Sequence, residues 1–193
     1  MNKAVGRLSP AGGIIPRRRT SVLAAGAPLA ALSPQARSAP TVPEALRRRF
    51  AYLSTHGNSN CTDAFQKSIA TMPPMARLQG TCCAPMVLDR YVSQVTALRK
   101  YRAFREIPPD PYDIPAGLAQ RAMRDYGRKL TGAATQAYAY AMAHAREHGP
   151  CCCRCWRWQA YGGLGKHLIL RRGFAGAQVT EVWNLSDGCG GQD

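Results

Sequence analysis

From residue 131 to residue 173 the chain runs TGAATQAYAYAMAHAREHGPCCCRCWRWQAYGGLGKHLILRRG, and its periodicity decides the fold class. Ala134, Tyr138, Ala141, Met142 and Ala145 recur at the three- and four-residue spacing of one helix face, with Thr131 in the capping position. Gly149-Pro150 is a stop signal, because a glycine accepts a left-handed turn and a proline cannot donate to a preceding carbonyl. A second helix is expected from about Trp156 to Arg172, closed by Gly173. Gly162, Gly163 and Gly165 lower its propensity and suit a close approach by another backbone.

The same grammar extends outward. Thr62 is positioned to cap a helix with Phe65, Ile69 and Met72 on one face, stopped by Pro73-Pro74. Pro85 suits the first turn of a helix carrying Leu88, Tyr91, Val92, Val95 and Leu98. The stretch Pro108-Pro109-Asp110-Pro111-Tyr112-Asp113-Ile114-Pro115 cannot be helical, because its prolines lack donors and restrict their neighbours. It leads into a helix from about Pro115 to Lys129. A last helix near Gln178 to Ser186 buries Val179, Val182 and Trp183. No period-2 strand stands out, so residues 40–193 are expected to form an all-α domain, a compact bundle of about five to seven helices.

Residues 1–39 are set apart by composition. No acidic residue precedes Glu44, and Arg17-Arg18-Arg19 stands before the apolar stretch Val22 to Leu32 and a small-residue end. A basic start, a short apolar run and small residues are the parts of an export signal, here of twin-arginine type, which implies a periplasmic or extracellular protein. An Arg-rich transit peptide and a disordered start are the alternatives. No apolar run approaches the roughly 18–20 residues that span a bilayer as a helix.

The formal charge is +15, carried by 26 basic against 11 acidic residues. Removing Lys3, Arg7, Arg17, Arg18, Arg19 and Arg37 leaves 20 basic residues against the same 11 acids. They are scattered rather than gathered on one aromatic-laced face, and Arg47-Arg48-Arg49 reads as a solvated helix face. Nucleic acid is therefore not the expected partner.

The chemistry lies in eight cysteines: Cys61, Cys82, Cys83, Cys151, Cys152, Cys153, Cys155 and Cys189. They fall at expected helix ends and turns, where ligand or redox thiols belong. Structural free cysteines prefer buried helix faces. A helix N-terminus also favours the thiolate, the form that binds metal or attacks. Four cysteines occupy five positions in Cys151-Cys152-Cys153-Arg154-Cys155. Cys152 and Cys155 make a C-x-x-C pair, and Cys151, Cys153 and Cys155 alternate. With Cys82, Cys83 and Cys189 supplying further ligands, the expected site holds a soft transition-metal ion, copper or zinc or a toxic thiophilic metal, for storage, delivery or resistance. An envelope partner protein would exchange that metal. Two alternatives stay open: a thiol–disulfide oxidoreductase cycling Cys152 and Cys155, and a disulfide-stapled interaction module.

Other residues are weaker candidates. His144 and His148 are four apart, a chelating spacing on a helix, but no glutamate stands at 145 as H-E-x-x-H requires. A solvated helix end with a favourable charge–dipole contact is the favoured reading of the pair, and His167 reads equally as a core histidine. Met72, Met75 and Met86 flank Cys82-Cys83, and thioethers favour Cu(I), although core packing is the alternative. Trp156, Trp158 and Trp183 serve either as a wall around the thiols or as ordinary core. Asp187 either orients a ligand or caps a turn. No phosphate-binding glycine loop, nucleophile elbow or haem-attachment motif is present.

The run PCCCRC at 150–155, followed by Gly165-Lys166-His167, resembles the PCYCGC-motif (lipo)proteins, an uncharacterised bacterial exported family. Cys151, Cys153 and Cys155 match its three cysteines, while Cys152 and Arg154 take the variable places. LQGTCCAPM, DPYDIP, GPCCCRCWRW and DGCGG also resemble segments of a family of bacterial hypothetical proteins, over most of residues 57–191. The resemblance implies a cell-envelope protein and supplies no activity.

Overall fold

The structure is a computed structural model, and it describes residues 42–190. The expected signal or disordered segment at 1–39 lies outside the described residues. Seven α-helices are found among the described residues: α1 Glu44–Thr55, α2 Asp63–Ile69, α3 Leu88–Leu98, α4 Ala116–Tyr126, α5 Gly132–His144, α6 Trp156–Arg172 and α7 Gly176–Ser186. The mostly helical bundle is as the periodicity predicts.

Helix α6 is the axis of the fold. Ten of its 17 residues are buried, on all sides, as expected of a helix enclosed by others rather than lying on a surface. Helix α4 lies against one side, and α5 and α7 cover the rest. The glycines make this closeness possible: a Cβ on Gly163 would lie 1.8 Å from the carbonyl oxygen of Ala122. Each tryptophan indole finds an acceptor: Trp156 Nε1 donates to Ser59 Oγ (3.2 Å), Trp158 Nε1 to the Tyr126 hydroxyl (3.0 Å) and Trp183 Nε1 to Tyr161 O (2.8 Å). Fully burying one such large apolar side chain contributes about 1.5–3 kcal/mol. Gly173 ends α6 at φ +68°, a left-handed position that glycine adopts without a Cβ penalty.

Several boundaries differ from expectation. Thr62 does cap α2, accepting a hydrogen bond from Phe65 N at 3.2 Å. Thr131 stands at the N-cap of α5 but makes no side-chain cap. Helix α3 begins at Leu88, capped by Val87, so Pro85 lies before it rather than in its first turn. The reason is a competing pairing: Ala84 N donates to Cys189 O at 2.9 Å, which holds the 82–87 segment in a non-helical path. Helix α5 stops at His144, with Ala145 extended, four residues short of the expected glycine.

One element was absent from the sequence reading. Strands β1 (Arg77–Gln79) and β2 (Asp113–Pro115) pair antiparallel, with Leu78 opposite Ile114 and both buried. Three residues per strand are too few to produce a visible alternation, and β2 sits inside the proline-rich connector. Long-range contacts hold it. Asp113 Oδ1 accepts from Arg77 Nε (2.7 Å) and Gln79 Nε2 (3.1 Å), and the carboxylate also pairs with Arg49. Arg47 and Arg48 are exposed on α1, as expected of a solvated face, whereas Arg49 of the same run is half-buried in its pairing with Asp113.

A candidate thiolate metal centre

Four connecting segments converge at one end of α6. The α1–α2 loop brings Cys61, the β1–α3 loop brings Cys82 and Cys83, the α5–α6 loop brings Cys151 to Cys155, and the turn after α7 brings Cys189. All seven cysteines selected from the sequence meet there, and the eighth, Cys61, joins them. All eight are free thiols.

The sulfurs form a continuous network. Cys61 Sγ lies 3.4 Å from Cys83 Sγ and 3.3 Å from Cys153 Sγ, and Cys83 Sγ lies 3.6 Å from Cys153 Sγ. Cys82 and Cys152 approach Cys83 at 4.0 and 3.8 Å. Cys151 and Cys189 are 2.8 Å apart. Four sets have ligand atoms mutually within 4.8 Å: Cys83–Cys152–Cys153–Cys189, Cys61–Cys153–Cys155, Cys61–Cys82–Cys83, and Cys151–Asp187–Cys189. This cysteine cluster can hold a metal ion. It is graded in depth, with Cys151, Cys155 and Cys189 buried and Cys83 and Cys152 exposed.

Named contacts fix each segment. The Cys61 loop is tied to α6 by the Trp156–Ser59 bond, and to β1 by Asn58, whose Nδ2 donates to Arg77 O and whose Oδ1 accepts from Gln79 N, both at 2.8 Å. Cys155 is the N-cap residue of α6. Its thiol pKa is held far below the usual range by hydrogen bonds from Cys151 and Cys82, helped by the backbone N–H of Arg157 in the first helical turn. Cys83 is also lowered: burial opposes this, but hydrogen bonds from Cys61, Cys153 and Cys152 outweigh it. The others are raised. Burial is the first cause for Cys61 and Cys153, and the hydrogen bond donated to the Cys155 thiolate comes first for Cys82 and Cys151.

The turn carrying Cys189 is built by Asp187, whose Oδ1 accepts from Cys189 N at 3.1 Å while its other oxygen pairs with Arg90. Asp187 therefore both shapes the turn and orients the cysteine, the two roles that the sequence left open. Gly190, at φ +80°, lies so close to the 82–85 segment that a Cβ would be 2.0 Å from Ala84 O. Behind the thiols lies Arg157, fully buried, donating to Pro111 O (2.7 Å) and Gly80 O (2.9 Å). One side chain thus anchors both the DPYDIP connector and the residue two positions before Cys82. Burial works against its charge, but Coulombic interaction with Tyr161, Cys82, Cys189 and Cys151 raises its pKa above the ordinary value.

Other candidates go elsewhere. Met72 packs against the main core and Met86 packs with Leu53, Tyr91 and Tyr112, so these two follow the packing alternative, whereas Met75 is exposed. His148 lies outside α5 at φ +49°, so the His144–His148 helical chelate does not form, and His144 Nδ1 instead contacts Tyr140 O at 2.8 Å. His56 stacks on Tyr52, and His167 is held between Asp125 (2.9 Å) and Glu106 (3.4 Å). Trp156, Trp158 and Trp183 belong to the main core, together with Cys151, Cys155 and Cys189.

Sequence reasoning counted Cys61 but left it out of the ligand set. The signal was present: Cys61 immediately precedes the capping Thr62, the same helix-end placement that marked Cys155. Comparison with family models, with curated proteins and with solved structures gives no match.

Proposed function

We propose that this chain is a thiolate metal-binding protein that takes a soft ion, copper or zinc or a toxic thiophilic metal, for storage, delivery or resistance in the cell envelope. The observation that carries it is the sulfur spacing. A tetrahedral ion bound at about 2.3 Å by thiolates sets its sulfurs about 3.8 Å apart. The contacts joining Cys61, Cys82, Cys83, Cys152 and Cys153 span 3.3 to 4.0 Å around that value. The four-cysteine set suits Zn(II), and the two three-cysteine sets suit Cu(I) at lower coordination number. The exposed Cys83 and Cys152 support exchange with an envelope partner, because an outside thiolate can attack the ion there first. The envelope setting rests on the acid-free, arginine-rich start of the chain and on the motif resemblance.

A thiol-redox role has one observation in its favour, the 2.8 Å approach of Cys151 and Cys189, a different pair from Cys152 and Cys155. Elemental analysis with thiol counting, on protein purified without reductant, decides between the two. Retained soft metal with unreacted thiols supports the proposal. A metal-free protein with one reversible dithiol couple supports the redox role and overturns it.

A further inference from the structure

The four ligand sets are not four separate sites. Cys153 belongs to two of them, and so do Cys61, Cys83 and Cys189. Placing an ion in the Cys61–Cys82–Cys83 set commits Cys61 and Cys83. An ion in the Cys61–Cys153–Cys155 set needs the same Cys61 sulfur, and one in the four-cysteine set needs the same Cys83. Independent ions would compete for these sulfurs. A thiolate sulfur, however, has more than one lone pair and can bridge two soft ions.

We propose that the centre is polynuclear: more than one Cu(I) ion binds, joined through bridging thiolates of Cys61, Cys83 and Cys153. This rests on the metal-binding function proposed above and specifies its form. Charge favours sharing. Each thiol that becomes a ligand loses its one proton to solvent, the second Cu–S bond at a bridging sulfur uses a further lone pair and displaces no proton, and no electron moves. A thiolate serving two monovalent ions leaves less uncompensated negative charge than separate ligands for each. That matters where Arg157 is a fully buried cation and Arg90 is already paired with Asp187. The depth gradient gives such a cluster an open side at Cys83 and Cys152 and a closed side at Cys151, Cys155 and Cys189.

The test is anaerobic titration of the reduced full chain with Cu(I) in the presence of a competing Cu(I) chelator, read by elemental analysis after desalting and by X-ray absorption. The expected result is saturation above one ion per chain, with a metal–metal scattering shell. Cys153→Ser, which removes a shared sulfur, should lower the bound copper by more ions than Cys152→Ser, which removes an exposed sulfur found in one set. Saturation at one ion without metal–metal scattering overturns the cluster and leaves a single-ion site standing. Failure to retain any Cu(I), Zn(II) or Cd(II) overturns both proposals. The wild-type titration decides the matter even where a variant fails to fold.

Discussion

The guanidinium of Arg157 occupies the space that a side chain on Gly188 would need: a Cβ there would lie 2.3 Å from Arg157 Nη1 and 2.9 Å from Pro111 O. Neither neighbour can retreat, because Nη1 and Pro111 O are hydrogen-bonded to each other. Gly188→Ala is therefore expected to destabilise the reduced, metal-free protein by about 1–3 kcal/mol, the usual cost of overpacking. Arg157→Met removes both anchoring hydrogen bonds and should cost more. Arg157→Lys should rescue little of it, since one ammonium cannot reproduce a planar fork aimed at two carbonyls. Urea unfolding midpoints measure all three, and a silent Gly188→Ala would show that the clamp yields.

The α4–α6 contact offers a paired experiment. Gly163→Ala drives a Cβ into the Ala122 carbonyl at 1.8 Å, whereas Gly127→Ala meets nothing within 4 Å at a right-handed helical position. The first should destabilise by at least about 1–3 kcal/mol. The second should be neutral or stabilise by about 0.4–1 kcal/mol, through reduced freedom of the unfolded chain. Calorimetric Tm values for the two variants check the contrast.

Cys61→Ser tests a ligand outside the dense motif. Cys61 touches both Cys83 and Cys153, so its loss should reduce retained metal as severely as loss of a cysteine from the 151–155 run. Loading metal should raise the Tm of the wild type, because a ligand that binds only the folded state adds about 2.7 kcal/mol at a hundredfold excess over its Kd. Chelation should reverse that rise, and in Cys61→Ser the rise should shrink. Equal metal content in Cys61→Ser and wild type would remove Cys61 from the site.

Acid should weaken the fold at a place remote from the thiols. Glu106 and Asp125 both lie below their ordinary values of 4.5 and 3.8. Burial opposes the shift, but the Arg172 bond to Glu106 and the Arg128 and His167 contacts to Asp125 prevail. A carboxyl depressed in the folded state binds its proton less readily than in the unfolded chain. Its stabilisation is therefore complete above the ordinary value and is lost as pH falls through the folded one. Denaturation midpoints should fall as pH drops below about 4.5, and Glu106→Gln should flatten that fall. An unchanged pH profile in the variant would sink this assignment.

Local physics made the helices legible. Apolar spacing, a capping Thr62 and the glycine at 173 act within a few residues of one another, so α6 appears with its expected bounds, Trp156–Arg172, and α7 with the expected Val179, Val182 and Trp183 buried. The placement of cysteines at turns and helix ends was equally visible, because it needs only the positions of the helices. Where an expectation missed, a distant partner had intervened. Cys189 O takes the amide of Ala84 and delays α3 beyond Pro85, while Arg77 and Gln79 hold Asp113 in a strand inside a proline-rich connector.

By itself, then, the sequence determined a helical chain whose thiols stand free of helix interiors, because caps, prolines and periodicity are short-range quantities. Only the tertiary structure decided that Cys61 meets Cys153 across 92 residues, that Met72 and Met86 serve packing, and that His148 leaves its helix. Those outcomes depend on how α4, α5 and α7 close around α6. That closure is set by the summed fit of many side chains from distant segments, and no single stretch of residues encodes it.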